Sequence, residues 1–135
     1  MKEELQDLID LLHERKCSCV LRNGEIYTFE RRGVEDLYDL LREQPGLLLG
    51  ADVADKVVGK GAAALMVLGR VRRVYADVLS EPAYGLLFQT GISVSYGRLV
   101  SAIRNRAGNG WLCRDKETAE ECLPLIAGFV ERLRV

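Results

Sequence analysis

The stretch from Val71 to Tyr96 constrains the fold of this chain more than any other. It reads VRRVYADVL, then SEPAYGLLFQTG, then ISVSY. Two strand-like runs flank a short helical one that opens on Ser80-Glu81-Pro82, where a proline near the first turn costs no hydrogen bond. A strand, a helix and a second strand in that order make a right-handed crossover between parallel neighbours. A parallel pair needs both faces covered, so helices are expected on either side of the sheet.

The rest of the chain supplies the cover. Leu5, Leu8, Ile9 and Leu12 recur at helical spacing. Residues 18–22 and 25–29 read as strands joined by Asn23-Gly24, a pair whose tolerance of positive φ makes it a strong hairpin signal. Val34 to Glu43 predicts a helix that stops at Gln44-Pro45-Gly46. From Gly50 the text GADVADKVVGKGAAALMVLG is small and apolar around most of its girth, and it reads as one helix, the most buried of the set. Asp115 is placed as the N-cap of a last helix whose apolar face runs from Ala119 to Leu133, with Pro124 expected to kink or divide it. The architecture that follows is α/β: a three-layer α/β/α sandwich on a mixed sheet of four to five strands. Residues 111–113 are the candidate fifth strand.

At 135 residues the chain is expected to be a single domain spanning 1–135. A formal net charge of −1 removes the electrostatic basis for general nucleic-acid or membrane-surface binding. No apolar run reaches the roughly 20 residues of a membrane span, and the charged start is unlike a signal peptide, so a cytoplasmic location is expected. Four cysteines (Cys17, Cys19, Cys113, Cys122) are read as reduced thiols. Cys17 and Cys19 are expected on one face of a strand as small buried side chains. The lone histidine, His13, is placed at a helix boundary, and one histidine excludes any site that needs two from one chain.

GADVADKVVGKGAAAL, VYADVLSEPA and the segment Ile103 to Gly110 (IRNRAGNG) together resemble an uncharacterised bacterial family, domain of unknown function 1893. The resemblance covers roughly residues 18–113 and implies a cytidine-deaminase-like fold. Zinc deaminases carry His or Cys followed by x-Glu at one helix start and Pro-Cys-x-x-Cys at the next. Here Ser80-Glu81-Pro82 matches the lead-in, but Ala83 and Leu86 stand at the two cysteine positions, and no His or Cys stands near Gly50–Asp55. Asp55, or else Asp52, falls about where the catalytic Glu would be. The zinc-deaminase mechanism is therefore not expected, and neither a metal nor another cofactor is implied.

Candidate residues for the emptied site follow. Asp52, Lys56 and Lys60, read on one helix, share a face at i, i+4, i+8. As a solvated stripe they would contribute one weak ion pair, whereas on a buried helix the lysines need an acidic partner or a ligand. Ser80 and Glu81 sit at a helix start. Asn105, Arg106, Gly108 and Gly110 form a basic glycine-rich loop suited to phosphate or carboxylate, with Trp111 available to stack on a ring. Each also has a bland reading as cap, solvated face, ordinary connection or packing anchor. Three functions are weighed: a metal-free module that binds an anionic or nucleotide-like small molecule; an enzyme using Asp52 or Asp55 with Lys56 or Lys60 as acid and base; and a homo-oligomeric interaction protein. The first leads.

Overall fold

The computed structural model describes residues 5–31, 34–103 and 112–134. The elements in chain order are α1 (Gln6–Glu14), β1 (Cys19–Asn23), β2 (Glu25–Phe29), α2 (Glu35–Glu43), α3 (Pro45–Leu48), β3 (Asp52–Val58), α4 (Lys60–Gly69), β4 (Arg73–Ser80), α5 (Glu81–Gln89), β5 (Ser93–Val100) and α6 (Ala119–Leu133). The five strands form one sheet in the order β2-β1-β3-β4-β5. Its β2-β1-β3 part is antiparallel and its β3-β4-β5 part parallel, so the sheet is mixed. The three-layer α/β/α architecture holds, with the crossover from β4 through α5 to β5 as the sequence implies.

The segment read as one central helix is corrected. Residues 52–58 are strand β3, at the centre of the sheet, and the helix starts only at Lys60. β3 pairs with β1 on one side and β4 on the other, and its first four residues are buried. A strand buried on both faces loses the polar alternation that would mark it, and small apolar residues then imitate a buried helix. The punctuation was nonetheless present: Gly50 turns the chain at φ +74° and Gly59 precedes the helix. β3 is thus the fifth strand. Residues 112–115 form a turn, and Trp111 lies outside the described residues.

The helix layers are unequal. α2 through α6 cover one face, where Leu21, Val53, Val74 and Ala76 of the sheet meet Leu37, Leu65, Leu87 and Ile126 in the main core. α4 packs against α5, α6 and α2, which is why it is apolar all round. On the opposite face, among the described residues, α1 alone covers β1 and β3, and its Leu8 and Leu12 close a small second core with Cys17, Val20 and Ala54. Cys17 and Cys19 therefore fall in different cores, contrary to the expected shared face, because Cys17 precedes the strand; both are buried as expected.

Two helix details also differ. The N-cap of α6 is Thr118, not Asp115; its hydroxyl accepts from the Glu121 N–H at 3.2 Å while the Glu121 carboxylate accepts from the Thr118 N–H at 3.0 Å. Pro124 sits inside α6 without dividing it, since it forfeits only the bond to the carbonyl of Glu120, an exposed position that water can reach.

Candidate functional site

Val58 of β3 pairs with Leu79 of β4, so the chain leaves the two central parallel strands at adjacent points. Each strand feeds a helix at once, and the first turns of α4 and α5 lie side by side at the carboxyl ends of the sheet. Ser80 caps α5, its buried hydroxyl accepting from the Ala83 N–H at 3.2 Å, with Pro82 in the first turn. The N-cap of α4 is Gly59, which has no side chain to offer. The partial positive charge of its first turn is left for something else to meet.

Two lysines stand at that turn, and it is closely packed. Lys60 Nζ donates to the carbonyl of Lys116, and among the described residues Lys60 makes no ion pair. Cys113 lies close enough to feel the charges of both Lys60 and Lys116, yet burial and the hydrogen bond with Cys122 push its thiol well above the usual range. That keeps it a poor nucleophile. Ile103 and Leu112 rest on the same turn: a side chain at Gly59 would begin 3.5 Å from Ile103, and one at Gly61 would begin 3.0 Å from Leu112. Both flanks of the segment 104–111 are thereby anchored at the start of α4. Asn105, Arg106, Gly108, Gly110 and Trp111 themselves lie outside the described residues.

The remaining candidates are not gathered there. Asp52, Lys56 and Lys60 do not share a helix face, because the first two belong to β3. Nor do Asp52 and Asp55 sit at a helix start. Asp52 opens β3 at the far end from Lys60, roughly 20 Å away at the rise of a strand. Its carboxylate is 2 % exposed and meets three guanidinium groups: Arg73 at 2.9 and 2.8 Å, Arg72 at 3.2 and 2.8 Å, and Arg22 at 3.1 Å. Arg22 also reaches Asp7 of α1 at 2.7 Å. Burial opposes ionisation of Asp52, but the bonds from Arg73, Arg72 and Arg22 outweigh it and hold the carboxyl well below the usual carboxylate range.

Asp55 is the opposite case. It lies beside Cys19 in the β1–β3 register, and its Oδ1 accepts from the Val57 N–H at 3.2 Å. Burial raises its pKa to about 7 against the hydrogen bonds from Val57, Cys19 and Lys56, with the charge of Asp36 adding to the rise. Burial and the neighbouring Asp55 likewise push the Cys19 thiol well up.

Sequence reading missed three groups of polar residues. Arg22 in the apolar run CVLRN was a visible signal, because a charge in a buried strand must find a partner. Lys116 carried none. His13, expected at a boundary, is half-exposed and bonds Asp77 at 2.7 Å, and the Tyr75 hydroxyl donates to the same Asp77 oxygen at 2.8 Å. Burial and Asp77 together push the Tyr75 hydroxyl up to about 12.

The positions that the resemblance aligns with the zinc-deaminase cysteines are occupied by packing residues. Ala83 and Leu86 are buried apolar side chains, and among the described residues no three His, Cys, Asp or Glu side chains are grouped so as to hold a metal ion. No helix of the described residues is long and apolar enough to cross a membrane.

Comparison with known proteins places this geometry. No curated protein matches the chain at a significant level. A crystal structure of a DUF1893 family protein (TM1506) from Thermotoga maritima superposes with a TM-score of 0.82 over 96% of this chain and 92% of that one, at 22% identity, which shows a shared fold. The family model for a domain of unknown function, DUF1893, matches residues 7–123, from α1 into α6. With nearly every element inside that match, the chain belongs to the DUF1893 family.

Proposed function

We propose that the chain is a small-molecule binding module whose ligand carries an anionic group, phosphate or carboxylate, seated at the start of α4. The observation that carries this reading is the first turn of α4: a ten-residue helix capped by Gly59, beside Lys60, at the carboxyl end of a central parallel strand. Open α/β sheets bind ligands at that end, and an unmet helix N-terminus favours an anion. The Ser80–Glu81 start of α5 forms the adjoining wall. Arg106 and the glycines of the segment 104–110 belong to the proposal as further donors, since Ile103 and Leu112 on either side of them pack on that turn. A nucleotide-like ligand, and a deaminase-like ancestry of the fold, are the finer form of the same reading.

Native mass spectrometry of freshly purified protein, followed by thermal shift with nucleotides, nucleosides and phosphorylated metabolites, tests it. The expected result is a bound metabolite-sized mass, or a rise in Tm that Lys60→Met and Arg106→Ala each reduce. A chain that carries nothing and is shifted by none of these compounds overturns the reading. The acid–base alternative gains less from the geometry, because Asp52 is held by three arginines, Asp55 faces the core and Lys60 is far from Asp52.

A further inference from the structure

We infer that two copies of this chain join edge to edge through β5, antiparallel about a twofold axis normal to the sheet. The two edges of the sheet are built differently. β2 is five residues long and begins with Glu25, with Glu30 just beyond its end. β5 is eight residues long, holds no proline, lysine or acid, and has six exposed positions. Natural edges are shortened, charged or broken by proline because a free row of backbone N–H and C=O groups templates another strand. β5 has only Arg98 for protection. Among the described residues it pairs with β4 alone.

The side chains beside that edge are as bare as the backbone. Phe88 is 67 % exposed, Tyr96 43 % and Leu99 39 %. Tyr84 links the two rings, stacking on Phe88 at 5.7 Å between ring centroids and meeting Tyr96 edge-on at 6.1 Å. The patch is therefore ordered, with little side-chain entropy left to lose when covered. This pairing of features selects the occupant. A single extended peptide would satisfy the backbone of β5 but leave the aromatic patch on α5 in water. A second copy related by a twofold axis normal to the sheet presents its own α5 on the same face of the joined sheet, so both the backbone edge and the aromatic patch are covered. The contact is isologous and closes at two copies, which avoids open-ended strand addition.

The test is the solution mass of the full chain, measured by sedimentation equilibrium up to about 100 µM. The expected mass is twice the 15.1 kDa of the chain, with the β5 amides that face away from β4 protected from hydrogen exchange. Phe88→Glu and Leu99→Lys, both at exposed positions, should each return the protein to the single-chain mass with an unchanged circular dichroism spectrum. A wild-type chain that stays monomeric overturns the inference, and if that monomer binds an extended peptide along β5, the edge serves a foreign strand instead. A dimer that both variants leave intact also overturns it, by placing the contact elsewhere.

Discussion

Two aspartates three residues apart on one strand show how far environment decides a carboxyl group's behaviour. Asp52 faces three guanidinium groups and is locked as an anion; Asp55 faces the core and keeps its proton to about pH 7. Replacing Asp52 with Asn leaves three arginines facing a neutral amide in a buried place, and breaking such a cluster is expected to cost about 3 kcal/mol, read as a fall in the urea midpoint. A loss below about 1 kcal/mol would mean that the arginines are content with water. For Asp55 the sign runs the other way. Between 3.8, its value in the unfolded chain, and about 7, the folded chain keeps a proton that the unfolded chain has released. Stability therefore falls as pH rises through that window, by up to about 1.4 kcal/mol per unit, and levels off above it. Asp55→Asn should flatten the profile of Tm against pH from 4 to 9, and the variant should exceed wild type at pH 8. A wild-type profile with no decline across that window would place the Asp55 carboxylate in a wetter setting than the structure gives it.

At the scale of elements, legibility followed the contrast between neighbouring residues. The β1–β2 hairpin was readable because Asn23-Gly24 separates two short runs, and Gly24 adopts φ +77° as that reading requires. Asn23 adds what local sequence does not show: its amide donates to the carbonyls of Gly46, Leu47 and Leu49, fastening the turn to α3. β3 was hidden by its own burial, and with it went the placement of Asp52, Asp55 and Lys56. The start of α5 at Ser80-Glu81-Pro82 was legible because a cap and a proline are local chemistry; the convergence of α4 on the same place depends on a register that no local pattern encodes. The C-terminal end of α4 offers a test of packing. Gly69 abuts Leu48, where an added side-chain carbon would begin 2.8 Å from Leu48 Cβ and 2.6 Å from its Cδ1. Gly69→Ala should cost about 2 kcal/mol in overpacking, more than the roughly 1 kcal/mol that alanine gains in a helix. Combined with Leu48→Ala, the two losses should fall short of additive, because the second substitution removes the Cδ1 and Cγ contacts and leaves only the one with Cβ. Strict additivity would show that the clash is relieved by backbone movement.

The molecule as a whole is asymmetric about its sheet, and that asymmetry predicts how it opens. Among the described residues five helices bury the main core, while α1 alone closes the other face, chiefly through Leu8 and Leu12. Two polar ties hold α1 in addition, Asp7 to Arg22 near its start and His13 to Asp77 near its end, each at 2.7 Å. In each, the partner on α1 is more than half exposed, so each adds little beyond registering the helix on the sheet. The nine residues of α1 are too few for a helix stable on its own. Its attachment therefore rests chiefly on Leu8 and Leu12, with Leu5 and Leu11 partly buried beside them, and α1 should detach in an opening smaller than global unfolding. Native-state hydrogen exchange should give the amides of α1 a lower opening free energy than those of α4, which is packed on every side. Leu12→Ala should remove about 3 kcal/mol from the attachment of α1, raising exchange in α1 first and leaving the amides of α4 slow. If α1 and α4 exchange instead with a single free energy that Leu12→Ala lowers equally, the two cores unfold as one unit, and the small core on the α1 face is coupled to the large one through β1 and β3.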